Sequence, residues 1–368
     1  MADGPRHILM TADGVGGVWD FSLALADGLA DRGVRTTLAV LGGPLADDQR
    51  QAARTVPGLD LRESPLPLEW MPGAWPDGVR RSGDWLLEIA AGAKPDLVHV
   101  NGYAHAALPF GVPVLCAAHS DVRSWFAAVH GTAAPAAFDA YGKAVVAGLK
   151  AAGRVVAPTR AMLAALTFQY DTAFDGTVIP NGLAPEGFAP GVKEPLILSV
   201  GRVWDAAKNI ALLDRVAPGL GAPVLVAGDT RHPDGSDRAP AHVQALGRLP
   251  KERLCDLYGR AAVFCLPARY EPFGLAALEA ALSGCALVLG AIPSLREVWG
   301  DAALFIDPDD AEGLRRALNG LMSDPGRRAD MAQKARLRAR RFTAGAMAGD
   351  YLDAYRRLSR PARLVAAE

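Results

Sequence analysis

Glu271 and Glu279 stand with seven residues between them in RYEPFGLAALEAALSGCALVLG, residues 269–290. The apolar spacing predicts a helix from Gly274 onward, with Pro272 suited to its first turn. Leu275, Leu278 and Leu282 recur at i, i+3 and i+7 on one side. Glu279 projects into the same arc, about 40° from Leu275 at 100° per residue. An ionised carboxylate on a buried face needs donors, and paired hydroxyls on a sugar supply two at once. A core arginine, or a place at the rim, is the other way to satisfy Glu279. The amides of Phe273, Gly274 and Leu275 fall at the start of the helix, where backbone N–H groups lack partners and the dipole favours anions. Phosphate oxygens fit such a place.

Two cations point to the same chemistry. In SVGRVWDAAKN, residues 199–209, an apolar strand gives way at Gly201 to Arg202 and then Lys208. Cations at the carboxyl end of a strand suit a diphosphate, and surface ion pairing is the alternative. DGVGGVWD, residues 13–20, also follows a strand and opens a helix. It reads either as a tight turn or as a loop where backbone approaches a ligand. It is a poor dinucleotide fingerprint, because Trp19 takes the third glycine position and no acidic residue closes the next strand. Asp307 and Asp309 in DPDD form an Asp-x-Asp. Such a pair can hold a divalent cation, but it follows the strand-like ALFI and reads as a turn, so no metal site is expected.

The elements that must position these residues alternate as short apolar runs and helical patterns. HILMTA, a helix over 18–30, RTTLAVLG, DLVHVNG, VPVLCAAHS, RVVAPT and GTVIPNGL form one series. A Pro/Gly-rich stretch at 183–195 separates it from LILSVGR, PVLVAGD, VQALGRL, AVFCLPA, ALVLGA and ALFIDP. This order predicts two parallel α/β sheets in tandem, an N-terminal domain over 1–183 and a C-terminal domain over 184–342. Ligands in such sheets sit at the strand carboxyl ends, so a cleft between the domains is expected. The amphipathic tail 343–368 carries Met347, Tyr351, Leu352 and Tyr355 on one side and is expected to pack back on the first domain.

Bulk properties narrow the class. The 368 residues exceed one ordinary core, and a formal net charge of −1 draws in no nucleic acid. Cys116, Cys255, Cys265 and Cys285 are widely spaced in or beside apolar runs and contain no CxxC, which suits reduced thiols. The start of the chain has no long apolar signal region, and no run of eighteen apolar residues occurs. A cytoplasmic protein without a transmembrane segment is therefore expected. The nine Lys and Arg of 314–341 read as a solvated helical face, with an anionic surface as the alternative.

Together these stretches resemble the family-4 glycosyltransferases of the GT-B fold, built from two Rossmann-like domains. The likeness rests on RYEPFGLAALEA with its Glu, seven residues, Glu spacing, on FCLPARYEPFGL and IPSLREVWGDAALFIDPDD around it, and on GVGG, the GR…KN segment and VIPNG. It runs over nearly the whole chain. It implies transfer of a sugar from a nucleotide-diphosphate sugar with retention of configuration and no bound metal or other cofactor. A donor phosphate oxygen would take the acceptor proton. By the same resemblance Glu271 holds hydroxyls near the middle of the donor sugar, and Glu279 accepts from the ribose. Phe273, Gly274 and Leu275 offer amides to sugar and phosphate, Gly16 and Gly17 line the donor, and Arg202 and Lys208 neutralise the leaving diphosphate. His119, in CAAHSDVRSW, matches the histidine beside the reacting carbon; read alone, it is a strand-end histidine with an ordinary partner. Lys208 lies six residues after Arg202 where the family more often shows five, so the loop must bulge by one.

The acceptor maps less directly. First-domain loops select it in this resemblance, and here they are PLPLEWMPGAWPDG and SDVRSWFAAVHG. Trp125 with Asp121 and Arg123 is assigned to its border, and a small molecule, a glycan or a lipid-linked acceptor all suit an aromatic-lined pocket. Core packing is the other reading of the tryptophans Trp19, Trp70, Trp75, Trp85 and Trp125. Three further functions share the scaffold: a nucleotide-sugar epimerase, a phosphorylase-like enzyme, and a non-catalytic nucleotide-sugar binding protein.

Overall fold

The computed structural model describes residues 4–231 and 239–359. The chain divides into two compact units. The first comprises Met1–Ser124, Ala133–Gly182 and Ala344–Glu368; the second comprises Trp125–Thr132 and Leu183–Thr343. The segment Trp125–Thr132 thus groups with the second unit, although in chain order it falls within 1–183.

The first unit holds seven parallel strands: β1 (His7–Asp13), β2 (Arg35–Leu41), β3 (Leu59–Glu63), β4 (Leu97–Val100), β5 (Val114–Ala117), β6 (Arg154–Ala157) and β7 (Gly176–Val178). Their order is β3-β2-β1-β4-β5-β6-β7. Residues Ile8 to Met10 of β1 are wholly buried, as expected for a parallel strand with helices on both faces. Strand β3, LDLRE, is absent from the sequence reading. It is the sheet's edge and keeps its residues half-buried or exposed, so it carries no apolar run.

The second unit holds six parallel strands: β8 (Glu194–Val200), β9 (Val224–Ala227), β10 (Gln244–Ala245), β11 (Ala261–Leu266), β12 (Ala286–Gly290) and β13 (Leu304–Ile306). Their order is β10-β9-β8-β11-β12-β13. In each sheet the chain first builds outward from its first strand and then returns to that strand's other side. The order therefore reverses between β1 and β4 and again between β8 and β11, and such switch points open a crevice at the strand carboxyl ends.

The helix Ala344–Leu358 belongs to the first unit. Its Met347, Tyr351, Leu352 and Tyr355 enter one buried cluster with Phe21 and Leu25. A Cβ on Gly28 would lie 2.7 Å from Ala348 Cβ, so glycine lets the helix Gly17–Ala30 approach this last helix closely. Residues 360–368 of the predicted tail lie outside the described residues. No helix among the described residues is long and apolar enough to cross a membrane.

Candidate active site

The second unit's candidate residues gather where β8 and β11 end. After β8 the chain makes two successive turns: Asp205 N–H donates to Arg202 O at 3.2 Å, and Lys208 N–H donates to Asp205 O at 2.9 Å. Asn209 then takes a left-handed conformation, φ 56°, before the helix Ile210–Val216. The two turns span the whole stretch from Arg202 to Lys208. Asn209 Nδ2 donates to Pro267 O at 2.9 Å, and Arg269 N–H donates to Ala207 O at 2.8 Å. The two strand-end loops are thus tied to each other by one side-chain and one backbone hydrogen bond. A Cβ at Gly228 would overlap the Gly201 carbonyl oxygen, so the β9 exit can press against the β8 exit only with glycine there.

Both cations already have anionic partners. Arg202 Nη2 lies 2.6 Å from Asp205 Oδ2, and its guanidinium stands 5.0 Å over the Trp204 ring. Lys208 Nζ lies 2.6 Å from Glu271 Oε2. Burial alone would raise the Asp205 carboxyl, but Arg202, Lys208 and the Ala207 amide outweigh it and hold it below the usual carboxylate range. Asp205, which with Trp204 stands out in the sequence as unusual within this loop, carries no role in the motif reading. Its position three residues after Arg202, inside the loop, was the available signal.

The helix that carries Glu279 begins one residue later than its sequence suggests. It spans Leu275–Leu282, and Gly274 precedes it at φ 91°, a left-handed conformation that favours glycine. Pro272 lies outside the first turn. The Gly274 amide is not an open donor, because it donates to Glu271 Oε1 at 3.0 Å. Glu271 therefore bridges Lys208 to the helix start. Phe273 is buried, its ring edge-on to Phe342 at 5.4 Å, and Leu275 is half-buried. Glu279 is also half-buried, and it accepts from the Tyr258 hydroxyl at 2.8 Å. Tyr258 is fully buried; burial and the Glu279 charge push its hydroxyl well up, so it stays a donor. The motif reading also missed Tyr258, because it lies on a separate helix, Lys251–Arg260.

In the first unit the candidates sit at the ends of β1, β4 and β5. Gly16, at φ 80°, precedes the helix Gly17–Ala30, and both glycines are exposed at the β1 exit. Trp19 is buried in the core. His119, two residues past β5, is half-buried; its Nε2 lies 2.8 Å from Asn101 Oδ1, and Phe21 meets its ring edge-on at 4.5 Å. Burial pulls the imidazole down to about 4. Asn101 went unmarked in the sequence, although a polar residue closing the apolar strand LVHV is the kind of signal that finds it.

The acceptor-side residues have structural partners. Asp121 Oδ1 accepts from Ser124 N–H at 2.8 Å, in the manner of a helix cap, and from the Tyr170 hydroxyl at 3.0 Å. Arg123 donates to Gln169 O at 3.0 Å and covers the Tyr170 ring at 4.8 Å. Trp125 packs edge-on against Phe126 and His130, at 5.1 and 5.2 Å. Trp70, Trp75 and Trp85 are partly buried against the first unit's core. The loop that holds Trp70 and Trp75 is pinned by Glu69, a buried carboxylate that accepts from the Tyr103 and Ala104 amides at 2.9 and 2.7 Å. At DPDD, Asp309 N–H donates to Asp307 Oδ1 at 2.9 Å, and Asp310 caps the helix Ala311–Ser323 through Gly313 N–H at 2.7 Å.

The chain matches two family models, Glycosyltransferase Family 4 over residues 15–186 and glycosyl transferases group 1 over residues 185–338. Among curated proteins it is similar to a glycogen synthase of Mycobacterium tuberculosis, 33% identical over 181 residues that cover 44% of this chain and 43% of the relative. It is also similar to a D-inositol 3-phosphate glycosyltransferase of Xylanimonas cellulosilytica, 29% identical over 260 residues that cover 58% of this chain and 59% of the relative. The chain spans about half the length of the curated relatives it matches. Two solved structures share its fold across nearly their whole length. Sucrose-phosphate synthase of Thermosynechococcus elongatus superposes with a TM-score of 0.80 at 21% identity, covering 96% of this chain and 99% of that one. Anabaena HepE, in complex with UDP-glucose, gives 0.72 at 15% identity, covering 95% and 99%. The two models abut near residue 186 and between them take in the chain from 15 to 338; it belongs to glycosyltransferase family 4, with two Rossmann-like domains of the GT-B type.

Proposed function

We propose that this protein transfers a hexose from a nucleotide-diphosphate sugar to a hydroxyl-bearing acceptor, with retention of anomeric configuration and without a divalent metal. The observation that carries the reading is the pairing at the β8 and β11 exits, where two cations, Arg202 and Lys208, each lie 2.6 Å from a carboxylate. A diphosphate presents competing anionic oxygens to both cations. Once it takes Lys208, Glu271 has an oxygen available to accept sugar hydroxyls. Glu279, oriented by Tyr258, accepts from the ribose hydroxyls, in line with the family resemblance.

The bond from the anomeric carbon to the diphosphate oxygen breaks as the acceptor oxygen bonds to that carbon on the same face. The acceptor proton passes to a phosphate oxygen of the departing diphosphate, so no side-chain base is required. The barrier falls because fixed cations and amides meet the charge that grows on the leaving group. The reading places the reaction in the cytoplasm, where the four free cysteines stay reduced.

A thermal-shift screen against nucleoside diphosphates and their sugars tests the donor. A ligand at a hundredfold excess over its Kd stabilises by about 2.7 kcal/mol. The stabilising donor is then offered with sugar, polyol and lipid-linked acceptors, and the anomer of the product is read by NMR. An inverted product, or activity abolished by a chelator and restored by a divalent ion, overturns the mechanism. Turnover of donor without any acceptor overturns transfer itself.

A further inference from the structure

One amide side chain decides which nitrogen of His119 carries its proton. Asn101 Nδ2 lies 2.6 Å from the Thr11 carbonyl oxygen and 3.2 Å from Ser22 Oγ. A carbonyl oxygen only accepts. Ser22 Oγ already donates to Val18 O at 2.7 Å, so toward Asn101 it accepts as well. Both neighbours therefore require the NH2 of Asn101 on that side. The backbone N–H of Asn101 donates to Thr11 Oγ1 at 2.8 Å and holds the residue from its other end. Asn101 is itself buried, which makes an inverted amide costly: it would set its oxygen against the Thr11 carbonyl.

The Asn101 oxygen is thus turned to His119 Nε2, 2.8 Å away. An amide oxygen has no hydrogen to give, so Nε2 supplies it. Burial keeps the imidazole neutral at pH 7, with its titration moved down to about 4. The lone pair then lies on Nδ1. The edge of Phe21 at 4.5 Å holds the plane of the ring.

We propose that Asn101 is a positioning residue that locks His119 as the Nε2–H tautomer, so that Nδ1 is presented as a hydrogen-bond acceptor for a hydroxyl of the bound sugar. A nitrogen in this state accepts an O–H and repels a phosphate or carbonyl oxygen. It also cannot protonate a leaving group. The hydroxyl rests on the glycosyl-transfer reading above; the tautomer does not.

The test has two arms. In the first, the full chain is labelled with 15N-histidine, and long-range 15N–1H spectra are taken at pH 7, with His119 assigned by its loss in His119→Gln. A neutral ring protonated at Nε2 is expected, and an Nδ1–H tautomer or an imidazolium overturns the proposal. In Asn101→Ala the His119 nitrogens are expected to move toward values averaged over both tautomers, and unchanged shifts overturn the lock.

The second arm is kinetic. Asn101→Ala is expected to lower kcat/KM by about tenfold, as for one lost hydrogen bond. The Asn101→Ala/His119→Ala double variant is expected to be no slower than His119→Ala alone. Losses that multiply overturn action through His119. If no nucleotide sugar is turned over, the transfer reading falls while the wild-type spectrum still decides the tautomer, so the two failures are distinct.

Discussion

The two switch points are built from opposite chemistry. Between β1 and β4 the network that holds His119 is neutral: an amide, an imidazole, two hydroxyls and backbone, joined by hydrogen bonds of 2.6–3.2 Å. Between β8 and β11 they are charged, with two cations and two carboxylates paired at 2.6 Å. A neutral, buried network keeps its geometry whatever arrives, and it can distinguish a donor from an acceptor. Paired ions in a half-buried loop can exchange partners, which suits a ligand that brings charge and must later leave with more of it. In the proposed function, the same topology serves hydroxyl recognition in one unit and phosphate handling in the other.

The sharpest way to break this comparison is to remove a charge from the second unit. Arg202→Ala and Lys208→Ala are each expected to cost roughly 3–4 kcal/mol of transition-state stabilisation, about 10²–10³ in turnover, with a smaller change in donor KM. Near-normal turnover in both would place the phosphate site elsewhere. Glu271→Gln is expected to fall almost as far. Its two oxygens accept from Lys208 and from the Gly274 amide, and a glutamine cannot accept on both sides.

Acid separates the units next. Burial depresses four histidines of the first unit from 6.5: His7, and with larger shifts His99 to about 3 and His105 and His119 to about 4. Their folded values lie below the unfolded one. The contribution of His99, His105 and His119 is therefore complete above pH 6.5 and is lost as pH falls toward 4, and for His99 toward 3, by up to about 1.4 kcal/mol per pH unit for each group. Glu69 and Asp121, whose carboxyls burial raises, act in the opposite sense and blunt the slope. In the second unit Asp205 is held below the carboxylate range, so its contribution is lost only in stronger acid. Hydrogen exchange at pH 5 against pH 7 is expected to show faster opening in β1, β4 and β5 than in β8 and β11. Equal change in both sheets would erase the distinction.

Smaller effects sharpen it. Asp205→Asn removes one of the two anions, and nucleoside diphosphate is expected to bind several-fold more tightly while product release slows; calorimetry and product inhibition read both. Tyr258→Phe deletes one hydrogen bond to Glu279 and is expected to weaken donor binding by about 1 kcal/mol with kcat little changed.

The strands with four or more apolar residues in a row, VLCA and AAVFCL among them, were legible because a parallel strand is buried on both faces. β3 was not, because an edge strand's alternation with charge looks like loop. The glutamate spacing and the two cations were legible as types at fixed separation. Their present partners were not. Nothing in one dimension says that Lys208 faces Glu271, 63 positions away, or that Tyr258 reaches Glu279 from another helix. The start of the Leu275–Leu282 helix was misplaced because apolar periodicity continues through a glycine whose backbone is left-handed. Asn101 shows the same limit: its meaning lies in Thr11, Ser22 and His119, which three separate chain segments supply.

The last helix carries a consequence for biosynthesis. Tyr355 hydrogen-bonds His99 at 2.7 Å, Tyr351 stacks on the same imidazole at 5.2 Å, and Phe21 touches both His99 and His119. The ribosome delivers these tyrosines only after the whole of 183–343 has emerged. Until then the earliest strands have an uncovered greasy slot where Ala344–Leu358 belongs, and the nascent chain must hold it unfinished while a later portion folds. A stop codon near 343 would therefore spare every proposed donor-binding residue of the second unit and still leave the histidine shelf without its backing.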